Sequence, residues 1–196
     1  MLALLLGVLL ASEPGTPLPR VLLRTGLGDV VVEVDVARAP QTARNFLAHV
    51  ERGLYRGGSF HRTVTRAPDN QPASPVKIAV IQAGPAPARP ELPPIPLERT
   101  RDTGLRHVDG CLSMARDGPD TATGDFFVCV GDQPELDFGG RRNPDGQGFG
   151  AFGRVVEGMD VVRRIHRAPA RGQSLAPPVP IVEAVRLPAP PAGARP

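Results

Sequence analysis

The sequence predicts a mainly-β domain, folded as an antiparallel sandwich or barrel, on three observations. About eight short runs rich in β-branched and aromatic residues are set apart by Gly, Pro, Asn and Asp turn signals. Only two segments carry helical periodicity. The chain's 196 residues fit one domain with short extensions, large enough to hold a core without covalent staples.

Val21 to Thr25 and Val30 to Val36 are β-branched runs joined by Gly26-Leu27-Gly28-Asp29, which suits a hairpin turn. In the second run Val30, Val32, Val34 and Val36 fall on one face, with Glu33 and Asp35 on the other. One side is therefore expected in the core and the other in solvent. Pro40 suits the first turn of a helix, in which Ala43, Phe46, Leu47 and Val50 recur at helical spacing until Gly53 provides a stop. That helix is expected to cap one mouth of a barrel. Further strands are expected at Ser59 to Val64, Lys77 to Gln82, Gly110 to Ala115, Phe126 to Val130, Gly150 to Val156 and Ile181 to Leu187. A second helix, from about Met159 to His166, presents Met159, Val162 and Ile165 on one side. Arg66 to Pro75 and Asp132 to Gly148, rich in Pro, Asp, Asn and Gly, read as surface loops.

Of the 23 Lys and Arg residues only Lys77 is lysine, and Ala and Pro are abundant, a pattern of GC-rich codon usage. An arginine is therefore uninformative merely by being arginine. The net charge of +3 comes from scattered residues with no basic run interleaved with aromatics, so it describes a solvated surface and no nucleic-acid partner is expected. With seven Phe, one Tyr and no Trp, the residues Phe60, Phe126, Phe127, Phe149 and Phe152 weigh heavily in any core or pocket.

Met1 to Ala11 is apolar but shorter than the roughly 20 residues that span a bilayer. It fits a signal-peptide core, with Ala11 and Ser12 as a cleavage region before Glu13-Pro14-Gly15-Thr16-Pro17, although basic residues ahead of it are missing. Export to a bacterial periplasm is expected, with no membrane span in the mature form; an uncleaved anchor and a misassigned start are the alternatives. The chain thus divides into a signal peptide and linker (1–19), one folded domain (20–187) and a Pro-rich disordered tail (188–196). Cys111 and Cys129 lie in runs that would pair as strands, and an oxidising compartment would permit a disulfide, but buried free thiols are the stronger reading. Neither they nor the four His show metal-ligand spacing, so no metal or cofactor is expected.

Two stretches carry the chemistry. Phe60-His61-Arg62 follows Gly57-Gly58-Ser59. Leu112-Ser113-Met114-Ala115 runs through Gly118-Pro119-Asp120-Thr121 to Gly124-Asp125-Phe126-Phe127-Val128-Cys129. With the block from Phe152 to Val162, and Ala39-Pro40 followed by Thr42 and Asn45-Phe46, residues 20 to 187 resemble the cyclophilins, a family of peptidyl-prolyl isomerases. The resemblance implies a closed antiparallel eight-stranded β-barrel with two capping α-helices. It also implies a monomeric isomerase that acts on proline-containing polypeptide segments, here those of exported chains as they fold.

Rotation about an X-Pro bond is opposed by amide resonance, with a barrier of about 20 kcal/mol. No covalent bond need break, so a catalyst requires a donor that favours the twisted amide and a grip on its flanks. The resemblance implies that Arg62 is that donor, aimed at the prolyl nitrogen. It likewise implies substrate contacts from Phe60, from Gln82, which would hold the arginine, from Ala115, Arg116 and Asp117 along the substrate backbone, and from Phe127 and Leu136 around the ring. Four positions depart from the family. Ala79 and Val80 stand where Phe and Met are usual, Asp125 replaces a Gln, and Glu135 replaces an aromatic. Asp125 either holds Arg62 through an ion pair or competes with substrate for it. Phe149, near the usual His or Tyr, either restores apolar surface or is an ordinary barrel residue beside Phe152. The stripped pocket keeps an alternative open, a non-catalytic or weakly catalytic proline-peptide-binding chaperone or scaffold module. A hydrolytic site is not supported, because His61 has no Ser or Cys partner in its motif.

Overall fold

The computed structural model describes residues 17–90 and 92–189. The expected signal peptide and the end of the expected Pro-rich tail lie outside the described residues. In chain order the elements are β1 (Arg20–Thr25), β2 (Gly28–Val34), α1 (Pro40–Glu51), β3 (Ser59–Val64), β4 (Val80–Gly84), α2 (Thr100–Thr103), β5 (Cys111–Met114), β6 (Phe126–Cys129), β7 (Gly150–Glu157), α3 (Met159–His166), β8 (Ala170–Arg171) and β9 (Ser174–Arg186). The strands follow the order β1-β2-β7-β5-β6-β4-β3-β9, and β9 pairs back onto β1. Eight antiparallel strands thus close into a barrel, and the two-residue β8 pairs only with β9. Closure removes the unpaired edges that an open sheet would expose.

The barrel interior is filled from alternating strand positions and sealed by α1. Phe46 on α1 meets Phe126 edge-on at 5.3 Å, Tyr55 at 5.4 Å and Phe152 at 5.2 Å. Each fully buried ring of this kind contributes roughly 1.5–3 kcal/mol. Pro40 opens α1 as expected, but no side chain within the helix caps its first turn. Glu98, far along the chain, does so: its carboxylate accepts from the Gln41 and Thr42 N–H groups at 3.2 and 2.8 Å, complementing the positive end of the helix. Among the described residues no helix is long and apolar enough to cross a membrane.

The structure corrects several expectations. β4 begins at Val80 rather than Lys77 and runs on to Gly84. β9 begins at Ser174, ahead of three prolines; Pro177 and Pro178 fall where β9 makes no ladder pair with β3, so their missing N–H groups leave no bond unmade. The polar face of β2 is not solvated: Glu33 is 9 % and Asp35 5 % exposed. Both are neutralised, Glu33 by Arg154 at 2.8 Å and Arg20 at 3.3 Å, and Asp35 by Arg38 at 2.7 Å. Two further short turns appear, α2 and a 3-10 turn at Pro134–Leu136. Cys111 and Cys129 are buried free thiols, and burial, with a bond to Cys111, pushes the Cys129 pKa well up.

The two segments read as surface loops are joined. Gln71 and Gln133, one from each, are buried. Arg142 Nη1 crosses between the segments to donate to Gln71 Oε1, Ser74 Oγ and Val76 O at 2.8, 2.6 and 2.7 Å. Arg142 and Asn143 of the second segment, with Ile78 just beyond the first, line a cleft on the barrel's outer face.

Candidate active site

A bulge in β3 creates the site. Phe60 pairs with Ala83 and Arg62 with Gln82, so His61 is an extra residue opposite a continuous β4. Residues two apart on a regular strand share a face; across the bulge they do not. Phe60 turns into the barrel against Phe126, 6.1 Å between centroids and 1 % exposed, while Arg62 emerges on the outer face. The expected substrate contact from Phe60 is thereby corrected, since the residue belongs to the core. From Arg62 the ladder continues to Gln82, Phe127 and Ser113 on successive strands.

Arg62 is held by two neutral amides. Its Nη1 donates to Gln82 Oε1 at 3.0 Å, and Nε and Nη2 both donate to Gln173 Oε1 at 2.8 and 2.5 Å. Two of its five N–H groups remain for a ligand. Partial burial draws its pKa below the ordinary guanidinium value, though not far enough to discharge it. Asp125 makes no ion pair with Arg62. Its Oδ2 accepts from Gln82 Nε2 at 3.0 Å and lies 3.6 Å from His61 Nε2, so it fixes which end of the Gln82 amide faces the arginine. Gly84 makes room for it, because a Cβ built there would overlap Asp125 Oδ1.

The cleft in front of Arg62 encloses about 480 Å³. Gln82, Ala115, Arg116, Asp117, Asp125, Phe127, Leu136 and Phe149, the other residues singled out in the sequence, all line it. Phe149 stands edge-on to Phe127 at 5.3 Å, so it supplies apolar wall rather than barrel filling. Of the two substituted positions, Val80 lines the cleft but Ala79 does not; Ile78, on the same face as Val80, takes a share of the lost surface. Arg116 is occupied elsewhere. Its guanidinium sits over Phe149 at 5.2 Å and binds Asp145 through two bonds of 2.8 and 3.0 Å. Glu135 is paired with Arg141 at 2.8 Å, which lowers its pKa. Sequence reasoning missed Ile78, Arg142 and Gln173. Ile78 follows one of the stretches read as surface loops and Arg142 lies within the other, while Gln173 sits in the tight turn between β8 and β9, where nothing local distinguishes it.

Behind Phe127, His107 lies nearly parallel to the ring at 6.0 Å and 16°. Its Nδ1 is 2.7 Å from Asp137 Oδ1 and its Nε2 is 2.9 Å from Ser113 Oγ. This is the bonding order of a hydrolytic triad. Yet Ser113 is 0 % exposed, so no acyl group can approach its hydroxyl. The three residues act as a buried brace for the apolar floor. Burial alone would raise the Asp137 pKa, but bonds from His107 and Arg106 outweigh it and hold the carboxyl low. Among the described residues no cluster of three or more His, Cys, Asp or Glu is placed to hold a metal.

Comparison with known proteins gives a consistent picture. Residues 20–186 match the family described as cyclophilin type peptidyl-prolyl cis-trans isomerase/CLD. The chain is 33 % identical to peptidyl-prolyl cis-trans isomerase cyp18 of Streptomyces antibioticus, over 82 % of this chain and 92 % of that one. It is 33 % identical to peptidyl-prolyl cis-trans isomerase B of Escherichia coli, over 79 % and 87 %. A crystal structure of a Cryptosporidium parvum cyclophilin type peptidyl-prolyl cis-trans isomerase shares the fold, with a TM-score of 0.70 at 21 % identity, covering 88 % of this chain and 99 % of that one. The same protein was solved in the presence of the dipeptide Ala-Pro, with a TM-score of 0.67.

Proposed function

The chain belongs to the cyclophilin-type peptidyl-prolyl cis-trans isomerases, and from that premise we propose that Arg62 catalyses X-Pro rotation in polypeptide substrates by donating to the prolyl nitrogen as the amide twists. In the planar amide the nitrogen lone pair is delocalised; at the twisted transition state it localises and becomes an acceptor. A donor that meets it only then lowers the barrier without tightening the ground state. The observation that carries this reading is Arg62 held between Gln82 and Gln173 beside an apolar recess. Val80, Phe127, Leu136 and Phe149 would enclose the proline ring. That a related protein was solved in the presence of the dipeptide Ala-Pro supports a proline-containing ligand.

NMR exchange spectroscopy on an Ala-Pro peptide tests the assignment. The wild type accelerates cis/trans exchange, and Arg62→Ala loses about a hundredfold or more of that rate with an unchanged thermal melt. Equal rates for the two proteins would favour the proline-binding module without catalysis. The apolar run from Met1 to Ala11 supports a periplasmic location, with exported chains as clients. The mass of the mature N-terminus recovered from a periplasmic fraction checks this, an intact Met1 counting against it.

A further inference from the structure

Two guanidinium groups in the cleft, Arg62 and Arg142, have no carboxylate partner among the described residues. The neutral partners of Arg62 position it for the prolyl nitrogen. Those of Arg142 are all bonded through Nη1, which ties its base to the Gln71–Val76 segment and leaves Nε and Nη2 uncommitted. Burial, and then the nearby charge of Arg62, lower the Arg142 pKa. Along β4, Arg62 shares its end of the cleft with a carboxylate, which Gln82 holds off from it, and Arg142 does not. Asp125 lies by Gln82 and Gly84, while Arg142 lies at the opposite end, by Val76 and Ile78.

We propose that Arg142 is a specificity-determining residue of this isomerase, forming an anion subsite that selects proline segments carrying a Glu or Asp close to the proline on one side. The inference rests on the isomerase reading above. A carboxylate reaching Nε and Nη2 of a partly desolvated guanidinium makes charge-assisted bonds, of the two-pronged kind that arginine geometry favours. A Gln of the same shape lacks the charge, and a Lys is repelled by both guanidinium groups.

The test uses acetylated, amidated peptides with a single proline, in which Glu, Gln or Lys is placed in turn at each of the two positions before and after it. Exchange rates are measured at low salt for the full chain. At one position Glu exceeds Gln by about tenfold, the size of one net charge-assisted bond, and Lys falls below Gln. That ratio falls towards one in Arg142→Gln, falls part of the way in Arg142→Lys, which keeps the charge but not the two-pronged geometry, and shrinks in the wild type at about 0.5 M salt; a ratio unchanged in Arg142→Lys counts against the proposal. A Glu-to-Gln ratio of one at all four positions in the wild type overturns the proposal, as does a ratio that persists in Arg142→Gln. If Arg142→Gln does not fold, Arg142→Lys and the salt series decide. Absence of exchange with every peptide would instead remove the isomerase reading itself.

Discussion

Gln173 Oε1 accepts two hydrogen bonds from Arg62, at 2.8 Å from Nε and 2.5 Å from Nη2, and so fixes the plane of the guanidinium from a turn 111 residues away in sequence. Gln173 is itself held, its Nε2 donating to Asn70 O at 2.8 Å. The Arg62 guanidinium therefore sits between a strand amide, Gln82, and a turn amide, Gln173. A uniformly neutral clamp aims the charge without cancelling it.

Gln173→Ala leaves Arg62 with one bond, to Gln82, and a wider range of orientations. The expected result is a fall in kcat of about tenfold with KM little changed, since misorientation acts on the transition state more than on binding. Gln173→Glu is expected to lose more, because a carboxylate at 2.5 to 2.8 Å would engage the charge on which the prolyl nitrogen depends. Steady-state rates over a peptide concentration series read both; an unaltered kcat in Gln173→Ala would remove the positioning role.

Gly84→Ala tests the outer arm of the same network. The new Cβ would overlap Asp125 Oδ1, so Asp125 must swing away and release Gln82 Nε2. Freed, the Gln82 amide can flip and present N–H groups to Arg62 in place of its oxygen. Activity should drop several-fold while the melting temperature changes little. An Asp125→Asn variant, which keeps an acceptor oxygen, should retain more activity than Gly84→Ala; the reverse order would detach Asp125 from catalysis.

The barrel was legible because its signals are local. Alternating valines, the Gly26-Leu27 turn and the apolar spacing of α1 and α3 each decide a short segment, and α3 falls at Met159–His166 as the pattern indicates. Most of the cleft was legible too, through motifs that keep fixed spacing along β5 and β6. What escaped was non-local. The bulge at His61 sends Phe60 inward and Arg62 outward, and it depends on pairing with β4 rather than on the triplet's own residues. Glu33 reads as solvated until Arg154, over a hundred residues on, arrives beside it. The brace of Ser113, His107 and Asp137 spans three segments whose residue types are individually unremarkable.

Val80→Met and Ala79→Phe separate the two positions at which the sequence resemblance leads one to expect larger apolar side chains. Val80 lines the cleft, so a longer side chain there extends the surface offered to a proline ring, worth roughly 0.8 kcal/mol per additional buried methylene. KM should fall about threefold for an uncharged Ala-Pro peptide. Ala79 is buried without lining the cleft, and its N–H is bonded to Gln133 Oε1 at 3.1 Å. A phenyl ring there is expected to cost about 1–3 kcal/mol of stability by overpacking. A stable Ala79→Phe with improved KM would show that the residue faces the ligand after all.

The buried brace makes an acid-sensitive contribution to stability. The folded-state pKa of Asp137 lies below its unfolded value of about 3.9, so its stabilisation is fully present above that value and is lost as pH falls through the folded pKa. At pH 7, Asp137→Ala should cost roughly 1–3 kcal/mol, because His107 Nδ1–H and the His107 backbone N–H both lose their acceptor in a buried site. As pH drops below about 4, the wild type should weaken while Asp137→Ala follows less steeply, so that the gap between their urea midpoints narrows. Phe127 stacks on His107, so the same variant should also broaden or shift the Phe127 ring resonances at neutral pH. A gap that stays constant between pH 7 and pH 3 would place the acid sensitivity elsewhere in the barrel.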